Sequence, residues 1–325
     1  MSSDGLTVKL WGVRGSIPRP EIPQLLRQRI VQLLQDFAKS GKSAQDFSAS
    51  LSLPQIGGFG GNTTCVEVKS GEDRLIIDAG SGLRELGVTL LSGPAGRGQG
   101  EIHILFTHFH WDHLIGLPFF IPLFIGGNKI HFYGVQPEMK AVVQQLFCRP
   151  YFPVVFEDLA SQIEFHALTP RQTVQIKGFK VTPYELDHPD PCWGFRIERG
   201  GKVYAHCVDT ECARQTREEL GADLALYQNV DLMLFDAQYT LTEIVDKANW
   251  GHAAAGFGID LAMREKIKRI WFIHFDPYAP YEKIVAAESQ ARTYHFSRMQ
   301  ELEKNGETIY PVDWSFAFEG MELTL

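Results

Sequence analysis

The sequence predicts an α/β protein in which antiparallel or mixed sheets carry helices on their outer faces. Three observations lead there. Strand-like runs dominate the chain, the early ones come as hairpins, and helical periodicities become frequent only later, without a strict alternation of strand and helix.

The elements follow in order. LTVKLWG (6–12) alternates and reads as a strand, and TTCVEVKSGEDRLIIDAG (63–80) reads as a hairpin turning near Gly71. EIHILFTH (101–108) and KIHFYG (129–134) are strands, the first mostly buried. Further strands are expected at 179–188, 192–209, 230–237 and 269–276, and DWSFAFEGMELTL closes the chain. Gly200-Gly201 between two alternating runs marks a hairpin. Helical patterns cover 22–40, 82–91, 111–125, 137–148, 211–228, 251–268 and 281–304. Residues 19–56 read as a helical insertion, amphipathic then polar, within a single domain spanning 1–325. The insertion is either a surface helix covering a sheet edge or a lid or homodimer contact.

Composition narrows the function. With 44% hydrophobic and 22% charged residues, the chain is ordinary for a globular protein. No apolar run reaches the length of a membrane span, and the N-terminus lacks the pattern of a secretory signal. Five cysteines, with no CxxC pair, suit reduced thiols in a cytoplasm; Cys207 and Cys212 read as packing residues. A net charge of -8 disfavours a grip on long nucleic acid, and the longest basic cluster, REKIKR (264–269), suits the polar face of a helix.

The chemistry concentrates in FTHFHWDHLIGLPFF (106–120). His108 and His110, at i and i+2 where a strand meets the next helix, can converge on one ion. Asp112 and His113 follow, where they can reach a second ion beside the first. Packing alone does not account for four such groups in six positions, because burying ionisable side chains without partners is costly. Imidazole with carboxylate suits zinc, manganese or iron.

THFHWDH resembles the HxHxDH signature of the metallo-β-lactamase superfamily, and further motifs follow in that family's order. Asp78 closes RLIIDAGSG, His188 lies in ELDHPDPCWGFRI, Asp209 in VYAHCVDTE and His274 in IWFIHFDP. The resemblance implies an αβ/βα four-layer sandwich: two mixed β-sheets flanked by helices. It also implies two divalent metal ions. His108, His110 and His188 would hold one, Asp112, His113 and His274 the other, with Asp209 bridging and Asp78 steadying the ligand loop.

The ligand set does not choose among the superfamily's reactions. Asp209 stands where zinc β-lactamases usually carry cysteine. WGHAAAGFGIDLA (250–262) places His252 near a helix start and looks like the extra histidine motif of ribonuclease Z-like phosphodiesterases, where the histidine donates a proton to the leaving group. That family often has Ser or Thr next, whereas Ala253 and Ala254 stand here; a capping or packing histidine is the other reading. GVRGSIP and GGNTTCVEV resemble N-terminal elements of bacterial small-molecule phosphodiesterases. Arg14 and Asn62 are therefore candidates for phosphate contacts or for fixing those loops. His206 could enter the site, though a structural role suits its strand better, and Asp276 is a candidate for orienting a substrate or ligand.

These features predict a binuclear metal-dependent hydrolase. Its expected substrate is a small phosphodiester such as a cyclic nucleotide, attacked by a metal-bridging hydroxide, with Asp112 and His252 as catalytic residues. The alternatives are a ribonuclease Z-like nuclease, a thioesterase or lactonase of the same superfamily, and a non-catalytic metal-binding module. The ribonuclease reading implies a protruding basic, Gly-rich arm, which the sequence does not show.

Overall fold

Two seven-stranded sheets are stacked between layers of helices in a computed structural model that describes residues 5–325. The first sheet holds, in spatial order, β1 (Thr7–Gly12), β2 (Cys65–Ser70), β3 (Asp73–Ile77), β4 (Glu101–Leu105), β5 (Lys129–Gly134) and β6 (Gln162–Ala167). The second holds β7 (Val174–Ile176), β8 (Phe179–Glu185), β9 (Trp193–Arg199), β10 (Lys202–Cys207), β11 (Leu232–Asp236), β12 (Arg269–Ile273) and β13 (Asp313–Phe316). The chain then crosses back, and β14 (Glu322–Thr324) pairs antiparallel with β1. The terminal run therefore divides between the sheets, with Gly320 at φ 89° providing the reversal.

Period-two patterning explains the layers. In β4, Ile102 and Ile104 face the outer helices, while Leu105 joins the core between the sheets. The two expected hairpins turn at Gly71 and at Gly200-Gly201, all with positive φ, which residues with a Cβ adopt at a cost.

The helices are α1 (Pro23–Ser40), α2 (Ala44–Ser50), α3 (Leu53–Gly57), α4 (Gly82–Leu90), α5 (Met139–Leu146), α6 (Arg217–Leu220), α7 (Ala255–Glu265) and α8 (Tyr281–Lys304). Helices α4 and α5 cover the outer face of the first sheet, and α7 packs on β11 and β12. Helices α1 to α3 occupy the expected insertion; none buries a residue, and Leu26, Ile30, Val31 and Leu34 of α1 are exposed.

Several expected elements differ. The 111–125 helix is instead three short 3-10 turns, at Trp111–His113, Leu117–Phe119 and Ile121–Phe124. Pro118 and Pro122 each sit near the start of a turn, where a missing N–H is harmless, and neither can continue a helix begun upstream. The 211–228 helix shrinks to α6 followed by a 3-10 turn, broken at Gly221 with φ 52°. Helix α7 starts at Ala255, so His252 lies in the preceding loop rather than in the helix. Strands β6 and β7, which the sequence reading left out, are sheet edges; their half-exposed alternation or three-residue length weakens the apolar signal.

Strand direction brings the functional loops together. β10, β11 and β12 run parallel, and β8 shares their direction because both β8 and β10 are antiparallel to β9. β3 and β4 are likewise parallel. Residues that follow the C-terminal ends of these strands thus emerge along one rim of each sheet.

Close packing at this rim gives a test of sign. Gly82 opens α4, and a Cβ there would lie 2.3 Å from the Trp11 carbonyl oxygen and 2.5 Å from its carbon. Helix propensity alone would reward Gly82→Ala by about 1 kcal/mol. Overpacking against backbone reverses that, and a net loss of about 1–2 kcal/mol is expected in urea unfolding. A stabilised variant would show that the β1–α4 contact is slack.

Candidate metal centre

The loop after β4 places His108, Asp112 and His113 in the interior, 1%, 4% and 0% exposed. His188 follows β8, Asp209 follows β10 and His274 follows β12. Their donor atoms form two groups: His108, His110, His188 and Asp209; and Asp112, His113, Asp209 and His274. Within each, the atoms lie within 4.8 Å of one another, and Asp209 is common to both. All seven residues expected as ligands are therefore brought together.

Neighbouring groups fix which ring nitrogen of His108, His110, His113 and His188 faces inward. Asp78 accepts from the backbone N–H and hydroxyl of Thr107 and from His113 Nδ1 at 2.8 Å. Thr107 Oγ1 also lies 3.1 Å from His108 Nδ1. Asp190 engages His110 Nε2 at 2.9 Å through its carboxylate, and its backbone carbonyl engages His188 Nδ1 at 2.9 Å. Ser16 N–H donates to Asp112 at 2.7 Å. The remaining atoms, His108 Nε2, His113 Nε2, His188 Nε2 and both oxygens of Asp209, are buried without a hydrogen-bond partner among the described residues.

The electrostatics of the cluster suit cations. Burial first, then the neighbouring imidazoliums, pushes His108 well below its ordinary value, and burial lowers His188, leaving neutral rings with free lone pairs. Burial would raise Asp209, but His274 and His113 hold it well below the usual carboxylate range; His113 and His274 do the same for Asp112. Burial opposes protonation of His113, yet Asp209, Asp78 and Asp112 outweigh it and push that imidazole well up. Buried carboxylates converging on orphaned imidazole nitrogens fit two divalent metal ions in their donor chemistry.

His252 stands beside this cluster, its ring centroid 4.9 Å from that of His274. Its Nδ1 lies 2.9 Å from Asp236 Oδ2, while Asp236 Oδ1 accepts from the backbone N–H groups of Gln238 and Ala253. Burial would lower His252, but Asp236 above all, then Asp209 and Asp112, raise it to about 9.

Comparison with known proteins agrees with this geometry. The family described as Beta-lactamase superfamily domain matches residues 73–275. The chain belongs to that superfamily. A ribonuclease Z of Thermococcus sibiricus is 23% identical over 296 residues, covering 74% of this chain and 90% of that protein. A ribonuclease Z of Staphylococcus carnosus is 27% identical over 178 residues, covering 51% of this chain and about half (53%) of that relative's length. Among solved structures, the metallo-beta-lactamase fold protein YhfI of Bacillus subtilis superposes with a TM-score of 0.64 at 15% identity, covering 98% of this chain and 99% of that one. At that identity the likeness concerns the fold.

Within this superfamily chain, the other expected contacts fall differently. Arg14 donates to the carbonyls of Gly60, Asp276 and Ala279, and Asn62 spends its amide on Glu319 and Ser81. Both residues fix loops, the second of the two roles open to them: carbonyls engage Arg14 Nε and Nη1, and a carboxylate engages the Asn62 amide N–H. GVRGSIP instead meets the cluster through Ser16 N–H and through Gly15, where a Cβ would lie 2.5 Å from the His274 ring. His206 lies beneath the cluster, 0% exposed, with Nδ1 2.9 Å from Tyr204 Oη. Asp276 caps a turn by accepting from Tyr278 N–H and lies 3.4 Å from Lys283 Nζ.

Sequence reasoning missed Asp236, Asp190 and Ser16. Asp236 did leave a signal: like Asp78, it is an acid ending an apolar strand. The Asp236–His252 pair has a pH signature in metal-stripped protein. His252 titrates above its unfolded value, so its stabilising share is complete below about 6.5 and is lost as pH rises through about 9. The stability advantage of wild type over Asp236→Asn should shrink across that window, and the His252 resonances of the variant should titrate lower. An unchanged His252 titration would show that Asp236 does not govern it.

Proposed function

We propose that the protein is a binuclear metal-dependent phosphodiesterase acting on a small phosphodiester such as a cyclic nucleotide. The observation that carries this reading is the Asp236–His252 pair beside two donor groups that share Asp209. His108, His110 and His188 would hold one ion and Asp112, His113 and His274 the other, with Asp209 between them. When bound, two such ions supply Lewis acidity to the phosphoryl group and bring a water's ionisation near neutral pH. Zinc suits the donors best, with manganese or iron as alternatives.

The chain's own residues do the rest. Asp78, Asp190 and Thr107 hold the imidazoles with the chosen nitrogen inward, and Ser16 N–H orients Asp112. Asp236 holds His252 in the form with a proton on Nδ1, so Nε2 can carry a second proton for the departing alkoxide. With Asp112 and Asp209 engaged by cations, their pull on His252 is largely spent. Its proton is then held chiefly by Asp236 and is easier to release.

Charge favours a phosphodiester over a neutral lactam, lactone or thioester. Arg14, Arg19, Arg29 and Arg84 line a groove of about 540 Å³, with Glu21 and Glu282 also in its wall. Arg14 and Ser16 belong to one loop, which joins this groove to the cluster through the Ser16 N–H bond to Asp112, and a positive wall favours an anionic ligand. The relatives' name, ribonuclease Z, supports a second reading as a nuclease on RNA. The net charge of -8 weighs against a long polyanion.

The test is metal analysis combined with a substrate panel. About two metal equivalents per chain and metal-dependent hydrolysis of bis(p-nitrophenyl) phosphate and of cyclic nucleotides are expected. His252→Ala should lower kcat by about 10²–10⁴-fold for poor leaving groups and far less for p-nitrophenolate. Equal losses for both would remove His252 from the proton-donor role. Turnover confined to RNA, or to thioesters or lactones, would replace the substrate assignment.

A further inference from the structure

We propose that Glu101, His103 and His131 form an additional cation site, for a borderline divalent transition metal such as Zn2+, at the end of the first sheet remote from the cluster. Strands β4, β5 and β6 run parallel and in register, pairing His103 with His131 and His131 with Glu164. Period two puts Glu101 and His103 on one face of β4, and the register sets His131 beside them. His103 lies five residues before His108, roughly 16 Å along extended chain, so it cannot share the cluster's ions.

The donor geometry is specific. His103 and His131 are 5% and 9% exposed, and the Nε2 atom of each is buried without a hydrogen-bond partner among the described residues. Both atoms face the same carboxylate oxygen: Glu101 Oε1 is 3.6 Å from His103 Nε2 and 3.5 Å from His131 Nε2. These separations are too long for hydrogen bonds. They are close to the edge, about 3.3–3.4 Å, of a tetrahedron built on zinc–nitrogen and zinc–oxygen bonds near 2.0–2.1 Å.

Outer partners prepare the same arrangement. His103 Nδ1 lies 2.9 Å from Tyr133 Oη, and His131 Nδ1 lies 3.0 Å from His166 Nε2. When each Nδ1–H donates outward, each Nε2 keeps its lone pair toward Glu101. Burial, with the neighbouring imidazoles, lowers His103 to about 4 and also lowers His131, so both rings are neutral near pH 7. Lys177 Nζ binds Glu101 Oε2 at 2.6 Å and leaves Oε1 to face the imidazoles. The rings are stacked, with centroids 4.6 Å apart and planes 8° from parallel, so the two Nε2 atoms draw together when they take one ion. A surface groove of about 440 Å³, lined in part by Glu101, His103 and Lys177, gives the ion access. Two histidines and a glutamate leave a fourth position for water.

The experiment compares the full-length protein with His131→Ala and Glu101→Gln after Zn2+ loading and removal of free metal. Metal content and Co2+ absorption are read alongside hydrolysis of bis(p-nitrophenyl) phosphate. Wild type is expected to hold one equivalent more than either variant, with hydrolysis unchanged in both. If His131→Ala misfolds, Glu101→Gln decides, because it alters only a partly exposed carboxylate. Equal metal content in wild type and Glu101→Gln, with identical Co2+ spectra, overturns the site. The difference between wild type and variant reads this site whatever number of ions the cluster holds, so failure of the cluster assignment is seen separately.

Discussion

The rest of the structure is arranged around Asp209, a carboxylate 1% exposed to which no described residue donates a hydrogen bond. His274 Nε2 lies 3.1 Å from its Oδ1, and His113 Nε2 and His108 Nε2 lie 3.4 Å and 3.6 Å from its Oδ2. A buried anion with no donor is costly unless positive charge surrounds it. Strands β4, β8 and β12, from two sheets, deliver imidazoles to the carboxylate that follows β10.

A hierarchy of support follows from that placement. The residues nearest Asp209 are histidines, and the next ones out are acids and threonine that select their tautomers. Asp78 serves both levels, joining the backbone of the β4 loop to His113. Asp236 repeats the device at the neighbouring strand end, where its partner His252 stands outside the seven-residue set. The same physics recurs in a different setting at His103 and His131, whose orphaned nitrogens face a single glutamate oxygen.

Expected elements failed where a local rule met a special requirement. The 111–125 segment has an apolar helical pattern, yet prolines at 118 and 122 divide it into short turns. That break lets the chain carry Asp112 and His113 inward while Trp111 stays 71% exposed. Arg14 carries the charge a phosphate contact needs, but its side chain is buried among loop carbonyls, which are better placed to receive its hydrogens.

The sequence by itself determined the α/β class, the hairpins at Gly71 and Gly200-Gly201, and the seven residues that meet in the cluster. Apolar periodicity, turn glycines and the dense run from His108 to His113 are local signals, whereas His188, Asp209 and His274 were legible only through the resemblance to the metallo-β-lactamase superfamily. Only the tertiary structure decided the roles of Asp190, Asp236 and Ser16, the loop-fixing use of Arg14 and Asn62, and the alignment of His103 with His131. Each depends on which strands are neighbours and in what register. A carboxylate 80 residues from His110 selects its tautomer only once two sheets have brought their loops to one rim.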